Sequence, residues 1–241
     1  MSNIRFLVIS KDEEFKIKKE NLEKTGAFVT YVKNNKQSIT QLYNGELLSV
    51  RSGDTIPDYL ILLHADVSLD VNSLINHLEL VKNKYDIIGL CGCEKFVVSE
   101  SPLNWFCGSR RFPEYRWGCV THGELGNQTS FFSQHKTETD HEVSCIDGLC
   151  IIFTKKAIES GIKFDSNLKF NCYDTQISLD AILNYKLKLG VIVEPSLQHY
   201  SVGRSILTDD FLKEELILRR RFNLDIPHGS KLEKLIENNL V

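Results

Sequence analysis

An α/β fold, with a mostly parallel central sheet flanked by helices, is predicted from two features of the sequence. The first half of the chain alternates apolar runs of strand length with segments of helical period, which is typical of strand–helix–strand units. The apolar runs are continuous, as expected for strands that are buried on both faces of a parallel sheet. The runs predicted as strands are residues 4–9, 28–32, 58–63, 87–90, 143–153 and 190–193.

The helices are predicted from apolar spacing and from helix-forming composition. Between two of the strands, for example, Leu74, Leu78 and Val81 recur at helical spacing. The final two helices follow the last strand, so we divide the chain into one domain over residues 1–205 and a C-terminal helical extension of that domain over residues 206–241. The segments predicted as helices are residues 11–24, 38–50, 71–81, 174–185, 208–221 and 230–239.

The segment between residues 94 and 142 differs from the rest, because it lacks a clear period and is rich in aromatic side chains, among them Trp105 and Trp117. A long irregular segment within a compact domain is often a functional loop or lid. Aromatic side chains would also suit a partly covered core. Both interpretations remain open at this point.

Charge and composition exclude several function classes. The formal net charge is -3, with 29 basic and 32 acidic residues, so there is no basic footprint for nucleic acid and no drive towards an anionic membrane. The three consecutive arginines at 219–221 are expected to form a solvated helix face. No apolar run approaches the roughly 20 residues of a membrane span, and no signal-peptide pattern is found.

Cytoplasmic localisation is therefore expected, with at most peripheral membrane contact. The seven cysteines are irregularly spaced, which favours free thiols that pack as small apolar groups over a zinc site.

Four short motifs carry residues with chemical potential. His64 and Asp66 directly follow an apolar strand, where a carboxylate can hold a divalent cation, although Asp66 could instead cap the next helix. Asp147 interrupts an apolar run and is followed by Gly148, as in a ligand site or a structural turn. Asp174 is either a general base or an ordinary N-cap. His199, past the last strand, is either a metal ligand or a satisfied buried histidine.

The order of these motifs resembles the glycosyltransferase family 2-like proteins with a GT-A fold, in the subgroup whose first motif reads H-x-D instead of D-x-D. The matching elements are His64-Ala65-Asp66, Asp147-Gly148, Tyr173-Asp174 and His199-Tyr200-Ser201-Val202-Gly203. Tyr43-Asn44-Gly45 is similar to a helix start that precedes the metal-binding strand in that family. The resemblance covers about residues 4–203 and implies the GT-A fold, with its C-terminal helical extension, for this chain.

The resemblance also implies a role for each matching residue. Asp66 and His199 would bind a divalent cation, Mn²⁺ or Mg²⁺, while His64 would face the donor ribose or sugar. Asp147 would face the donor sugar or the acceptor, and Asp174 would act as the general base. Further positions are Ser10, Asp12, Asn34 and Asn44 on the nucleotide-sugar side, and Trp105, Trp117 and Tyr173 on the acceptor side.

The implied activity is transfer of a sugar from a nucleotide-diphosphate donor, with UDP as the default, to a glycan hydroxyl in polysaccharide biosynthesis. Direct displacement with inversion is expected, and a retaining mechanism stays open. A catalytically inactive glycan-binding or scaffold protein is the alternative from another class, because Gln176 stands where the subgroup often has a second Asp. A nucleotidyltransferase is disfavoured by the acidic loop after the first strand, and a dehydrogenase by the missing G-x-G-x-x-G.

Overall fold

Two β-sheets and seven α-helices make up the described part of the chain in the computed structural model. The structure describes residues 2–11, 14–17, 19–95, 97–104, 106, 112–124, 127–132, 138–194, 196–201 and 208–237. The strands are β1 (Ile4–Ile9), β2 (Phe28–Val32), β3 (Tyr59–His64), β4 (Val67–Ser68), β5 (Ile87–Gly89), β6 (Cys91–Cys93), β7 (Arg116–His122), β8 (Thr129–Phe132), β9 (Asp140–Glu142), β10 (Cys145–Ile146), β11 (Cys150–Thr154), β12 (Leu189–Ile192) and β13 (Gln198–His199). The helices are α1 (Lys19–Glu23), α2 (Ile39–Ser52), α3 (Val71–Leu80), α4 (Lys155–Glu159), α5 (Tyr173–Leu183), α6 (Asp209–Phe222) and α7 (Lys231–Glu237), with a 3₁₀ turn over Pro113–Tyr115.

The central sheet has seven strands in the order β2-β1-β3-β11-β5-β12-β9. Its pairings are parallel for β1 with β2, β1 with β3 and β5 with β12. They are antiparallel for β11 with β3, β11 with β5 and β12 with β9. The sheet is therefore mixed, and the prediction of a mostly parallel sheet is wrong. Burial on both faces makes a strand apolar throughout in either direction, so this pattern does not reveal strand polarity.

Both faces of the central sheet are covered, as β3 illustrates. Ile61 and Leu63 belong to one apolar cluster, which also contains Leu74 and Leu78 of α3. The alternate residues Leu60 and Leu62 belong to the other cluster, which is built with α2, α4 and α5. All these side chains are fully buried. The alternation follows from the two-residue period of a strand and fixes β3 in the middle of the domain.

The second sheet has the order β10-β6-β7-β13-β4, with β8 paired to β7. It is built largely from the segment that lacked a period. Strand β7 carries Trp117, which is 1% exposed and stacks on His141 with ring centroids 3.8 Å apart. The interpretation of this segment as partly covered core is therefore correct for β7.

Two sequence-based boundaries need correction. The run 143–153 is not one strand, because β10 joins the second sheet and β11 joins the central sheet. Tyr43-Asn44-Gly45 is not a helix start, because α2 begins at Ile39, in agreement with the helix predicted over residues 38–50. The hydroxyl of Ser38 accepts a hydrogen bond from the Gln41 amide at 3.3 Å.

The C-terminal helices form a small apolar cluster of their own and also contact the domain. Leu218 of α6 is fully buried in a cluster with Leu103 and Cys172. Arg219 is fully buried as well, pairs with Glu215 at 2.8 Å and donates to the carbonyl oxygen of Val98 at 2.8 Å. The expected solvated arginine face is thus wrong for Arg219.

Six cysteines lie in the part of the chain that the structure describes, and all are buried free thiols. Within the same described part, no helix has the length and hydrophobicity that crossing a membrane requires.

Candidate functional site

The site begins at the edge of the central sheet where three neighbouring parallel strands end. In the register of these strands, Ile9 of β1 lies opposite both Val32 of β2 and His64 of β3. Ser10 and Asn34 therefore follow their strands at the edge that carries His64. Ser10 is buried, and Asn34 is exposed with a φ of 50°. Ligands bind at the carboxyl ends of strands in open α/β sheets, and the donor-side role of Ser10 and Asn34 stays a prediction. Asp12 lies outside the described residues.

His64, Asp66 and His199 come together at this edge. Strand β13 pairs antiparallel with β4, and this register sets His199 opposite Val67, next to Asp66. His199 Nε2 is 3.3 Å from Asp66 Oδ2, and His64 Nδ1 is 4.0 Å from Asp66 Oδ1. One donor atom from each residue lies within 4.8 Å of the others.

Asp66 does not cap a helix, because Asp70 performs that task and accepts from the amides of Asn72 and Ser73 at 2.9 and 3.2 Å. The side chain of Asp66 is 43% exposed, against 19% for His64 and 16% for His199. Asp66 is thus the member of the cluster that is most open to a ligand from solvent.

The two imidazoles differ in their electrostatic surroundings. Burial lowers the pKa of His64 and favours its neutral form. Burial also acts against charge on His199, but the hydrogen bond and the negative charge of Asp66 outweigh it and raise the pKa of His199. Burial opposes the charged form of Asp66, yet the hydrogen bond and charge of His199 keep the pKa of Asp66 below its usual value. Each of Asp66 and His199 therefore favours the charged form of the other.

Each imidazole also contacts a group outside the cluster. The Tyr173 hydroxyl lies 2.7 Å from His64 Nε2 and donates to the carbonyl oxygen of Gly148 at 3.0 Å. His122, the last residue of β7, has its Nδ1 3.2 Å from Nδ1 of His199. Tyr173 is 4% exposed, so the predicted contact between its ring and an acceptor is not available in this structure.

A second pair of carboxylates, Asp147 and Asp174, lies beside the cluster. Asp147 belongs to the turn between β10 and β11, and its Oδ1 accepts from the Leu149 amide at 2.8 Å. Asp174 is the second residue of α5. It is not the N-cap, since that position is held by Cys172, which has a φ of 57° and no capping side-chain bond. Burial and then the charge of Asp147 raise the pKa of Asp174 to about 7, against three backbone amides, those of Thr175, Gly148 and Asp174 itself, that favour the charged form.

The peptide of Gly148 connects the two halves of the site. Its N–H donates to Asp174 Oδ2 at 3.2 Å, and its carbonyl oxygen accepts from Tyr173. A Cβ atom at this position would lie 2.2 Å from the Tyr173 hydroxyl oxygen, so no larger residue fits without moving that ring. The space that Gly148 leaves free of a side chain is therefore occupied by the ring of Tyr173.

Two other predicted positions have different tasks in the structure. The Asn44 side chain accepts from the Phe164 amide at 2.9 Å and donates to the Phe164 carbonyl at 2.9 Å, which ties α2 to a neighbouring loop instead of facing a donor. Trp117 is core and presents no ring to an acceptor. Trp105 lies outside the described residues.

Sequence reasoning missed three contributors, His122, Lys11 and Glu214. His122 was hidden because β7 was not recognised as a strand. Lys11 places its ammonium 4.6 Å from the Phe170 ring centroid, and its charge acts on His64. The buried carboxylate of Glu214 in α6 accepts from the amides of Lys169, Phe170 and Asn171 at 2.9, 3.1 and 2.8 Å, directly before Tyr173 and Asp174. No local sequence signal marks that contact.

The chain was compared with known proteins by sequence and by structure. No family model matches it, and no curated protein matches it. Among solved structures, A197 from STIV matches with 14% identity and a TM-score of 0.44, over 86% of this chain and 99% of that chain. GalNAc-T7 with UDP, GalNAc and Mn²⁺ matches with 13% identity and a TM-score of 0.48, over 98% of this chain and about half, 54%, of that chain. Both TM-scores are below 0.5, so neither similarity indicates a function for this chain.

Proposed function

We propose that this protein is a metal-assisted glycosyltransferase that moves a sugar from a nucleotide-diphosphate donor, UDP-linked by default, to a glycan hydroxyl. The proposal is supported by one observation: hydrogen bonds of the Gly148 peptide connect two groups of side chains with different chemistry. One group is a potential cation site, and the other is a carboxylate with a pKa of about 7. Sugar transfer needs both, since a diphosphate must leave while a hydroxyl loses its proton.

The residues of the first group fit a divalent cation by their chemistry. His64, Asp66 and His199 would supply two imidazole nitrogens and one carboxylate oxygen. Two imidazoles disfavour Mg²⁺, which prefers an all-oxygen octahedral shell, and favour a transition metal. Of the two cations that the resemblance implies, Mn²⁺ is the transition metal. When bound, the cation would neutralise charge on the leaving diphosphate. His64 then becomes a ligand in the proposal, in place of the ribose or sugar contact that the resemblance implied.

The second group supports acid–base chemistry on the acceptor. Asp174 would take the proton of the acceptor hydroxyl as that oxygen forms its bond to the anomeric carbon of the donor. The bond between this carbon and the diphosphate oxygen breaks in the same step, and the nucleoside diphosphate leaves with inversion at the carbon. A pKa near the working pH is the optimum for such a base. Asp147 raises that pKa by its charge and would contact the donor sugar or the acceptor.

Basic and aromatic groups beside the cluster suit a donor diphosphate. The ammonium of Lys11 is exposed and lies over the ring of Phe170, which stacks on His64 at 6.3 Å between centroids. Lys11 would attract the donor phosphates, and Ser10 and Asn34 would lie towards the nucleotide base. A cytoplasmic location and a role in polysaccharide biosynthesis stay predictions from the sequence.

The test is calorimetric titration of the protein with UDP, with UDP-sugars and with nucleoside triphosphates, in Mn²⁺ and in chelator, for wild type and for Asp66→Asn. We expect wild type to bind one nucleoside diphosphate only with Mn²⁺. Asp66→Asn should weaken Mn²⁺ binding by at least about 100-fold, because even outer partners of ligands are worth 10- to 100-fold. Asp54→Asn is the matched control, since this exposed residue precedes the opposite end of β3 and loses the same charge.

The possible outcomes separate the competing functions. Metal-dependent binding with slow donor hydrolysis would support the transferase. Metal-dependent binding without hydrolysis or transfer to any glycan would favour the inactive glycan-binding protein. Preference for a triphosphate would favour a nucleotidyltransferase. Unchanged Mn²⁺ affinity in Asp66→Asn would remove Asp66 from the metal site.

A further inference from the structure

Two residues outside the cluster contact its imidazoles, Tyr173 at His64 and His122 at His199. We propose that Tyr173 and His122 are positioning residues that fix the tautomers of His64 and His199, so that a cation is bound through Nδ1 of His64 and Nε2 of His199. This inference rests on the proposed metal site. It assigns to Tyr173 a task other than acceptor binding and gives a task to His122.

The position of the single hydroxyl proton of Tyr173 determines which nitrogen of His64 is protonated. The Tyr173 hydroxyl has one proton and contacts the carbonyl oxygen of Gly148 at 3.0 Å and His64 Nε2 at 2.7 Å. The Tyr43 hydroxyl also interacts with it and has a proton of its own to donate. A carbonyl oxygen can only accept, so the Tyr173 hydroxyl donates to Gly148. The hydroxyl oxygen is then the acceptor towards His64, whose Nε2 must carry the proton. In neutral His64 the lone pair is left on Nδ1, the nitrogen that faces Asp66 Oδ1.

The Tyr173 hydroxyl is held in place by the packing of its ring. Tyr173 is 4% exposed, and its ring lies against Tyr43 and Phe164 at centroid distances of 5.9 and 6.0 Å. The Gly148 peptide is itself held, because its N–H donates to Asp174. The hydroxyl therefore has a fixed acceptor for its proton, and His64 meets an oxygen lone pair.

His199 contacts Asp66 through Nε2, whereas His64 contacts Asp66 through Nδ1. Nε2 of His199 faces Asp66 Oδ2 at 3.3 Å, and its Nδ1 faces His122 Nδ1 at 3.2 Å. If Nε2 binds a cation, the proton of neutral His199 lies on Nδ1 and is donated to His122. Strands β13 and β7 are paired with His199 opposite His122, so the sheet itself sets this contact. Outer partners of this kind commonly fix the ring orientation and tautomer of a ligating histidine.

The direct test reads the tautomers in metal-free wild-type protein. We expect ¹⁵N NMR of the imidazoles, at a pH where both rings are neutral, to show the proton of His64 on Nε2. Addition of Zn²⁺ as a diamagnetic probe should shift Nδ1 of His64 and Nε2 of His199. A proton on Nδ1 of His64 would overturn the inference, and this reading needs no variant.

The variant test is Tyr173→Phe, which removes the hydroxyl and keeps the ring. Mn²⁺ affinity should fall by about 10- to 100-fold, with loss of the single-tautomer pattern at His64. Tyr59→Phe is the matched control, because the buried Tyr59 hydroxyl also donates to a backbone carbonyl, that of Leu78 at 3.1 Å, from the far end of β3. Tyr59→Phe should keep wild-type affinity.

His122 is tested by a pair of substitutions. His122→Gln keeps an acceptor for His199 and should retain more Mn²⁺ affinity than His122→Leu, which has none. Equal affinities for these two variants would overturn the role of His122, and wild-type affinity in Tyr173→Phe would overturn that of Tyr173. If wild type binds no Mn²⁺, the proposed function fails instead, and the ¹⁵N reading still reports separately on the contact between Tyr173 and His64.

Discussion

Asp66 and Asp174 are the same residue type in two halves of one site, and their surroundings move their pKa values in opposite directions. Although burial raises the pKa of Asp66, the hydrogen bond and charge of His199 outweigh this effect, so the net shift is downward. Hydrogen bonds from backbone amides and from the Thr175 hydroxyl favour the charged form of Asp174, but burial together with the charge of Asp147 outweighs them and raises its pKa to about 7. One carboxylate therefore stays anionic and suits a cation, while the other can exchange a proton near neutral pH.

The difference comes from the identity of the neighbours as well as from depth in the protein, since burial is the largest cause of the raised pKa of Asp174. Asp66 has two imidazoles within 4.0 Å, and Asp174 has another carboxylate as its main charged neighbour. The peptide of Gly148 connects these two environments. The charge of Asp147 acts on both of them, but neither Asp66 nor Asp174 is a main cause of the other's pKa shift. Variants that change one carboxylate should therefore leave the function of the other intact.

Removal of the proposed base should give the largest effect. Asp174→Asn is expected to lower the rate of sugar transfer by about 10²- to 10⁴-fold, the usual contribution of a general base. Mn²⁺ affinity and donor binding should stay close to wild type, because the carboxylate of Asp174 is hydrogen-bonded to Gly148 and Thr175 and not to His64, Asp66 or His199 within the described residues. Single-turnover transfer and calorimetry on the same sample measure both. Full transfer activity would exclude Asp174 as the base, and a joint loss of both functions would break the proposed separation.

A smaller effect is expected from the neighbour that tunes Asp174. Asp147→Asn removes a negative charge and keeps the oxygen that accepts from the Leu149 amide. The pKa of Asp174 should fall from about 7 towards the usual aspartate range. ¹³C NMR of the side-chain carboxyl in metal-free protein would follow this titration, and an unchanged midpoint would show that burial alone raises the pKa.

The raised pKa of Asp174 also has a consequence for stability. The folded protein holds this proton to a higher pH than the unfolded chain does. Between the usual aspartate pKa and about 7 the folded state therefore binds more protons, and the contribution of Asp174 to stability falls as pH rises through this window. Asp147→Asn should weaken this pH dependence, which thermal unfolding across the window can measure.

The half of the site around Asp66 was largely predictable from the sequence. His64 and Asp66 end an apolar run, and His199 follows another, so the rule that strand ends carry ligand sites brings them to one edge. The parallel pairs β2–β1–β3 agree with that rule. The direction of β11 was not predictable, because every buried residue of this strand is apolar. Such a sequence is compatible with a parallel or an antiparallel pairing.

The half around Asp174 could be predicted only in part. The sequence indicated Asp147, Gly148 and Asp174 as unusual positions. Their proximity in the fold depends on the turn between β10 and β11, and on Tyr173, which occupies the space beside Gly148. Such contacts join residues 25 or 26 positions apart in the chain. They carry no periodicity, so no spacing rule could reveal them.

The support of the Asp174 half by α6 gives the smallest and most selective prediction. Glu214 accepts from three consecutive backbone amides just before Tyr173, whereas no described contact joins α6 to Asp66 or His199. Glu214→Gln keeps the shape but loses the charge that strengthens these hydrogen bonds. Transfer should slow by about 10-fold, or ~1.4 kcal/mol in the barrier, while Mn²⁺ affinity stays unchanged. Asp210→Asn is the matched control, since it removes an exposed charge from the same helix. Loss of Mn²⁺ affinity in Glu214→Gln would mean that α6 supports the whole site, and the two halves could then no longer be treated as independent.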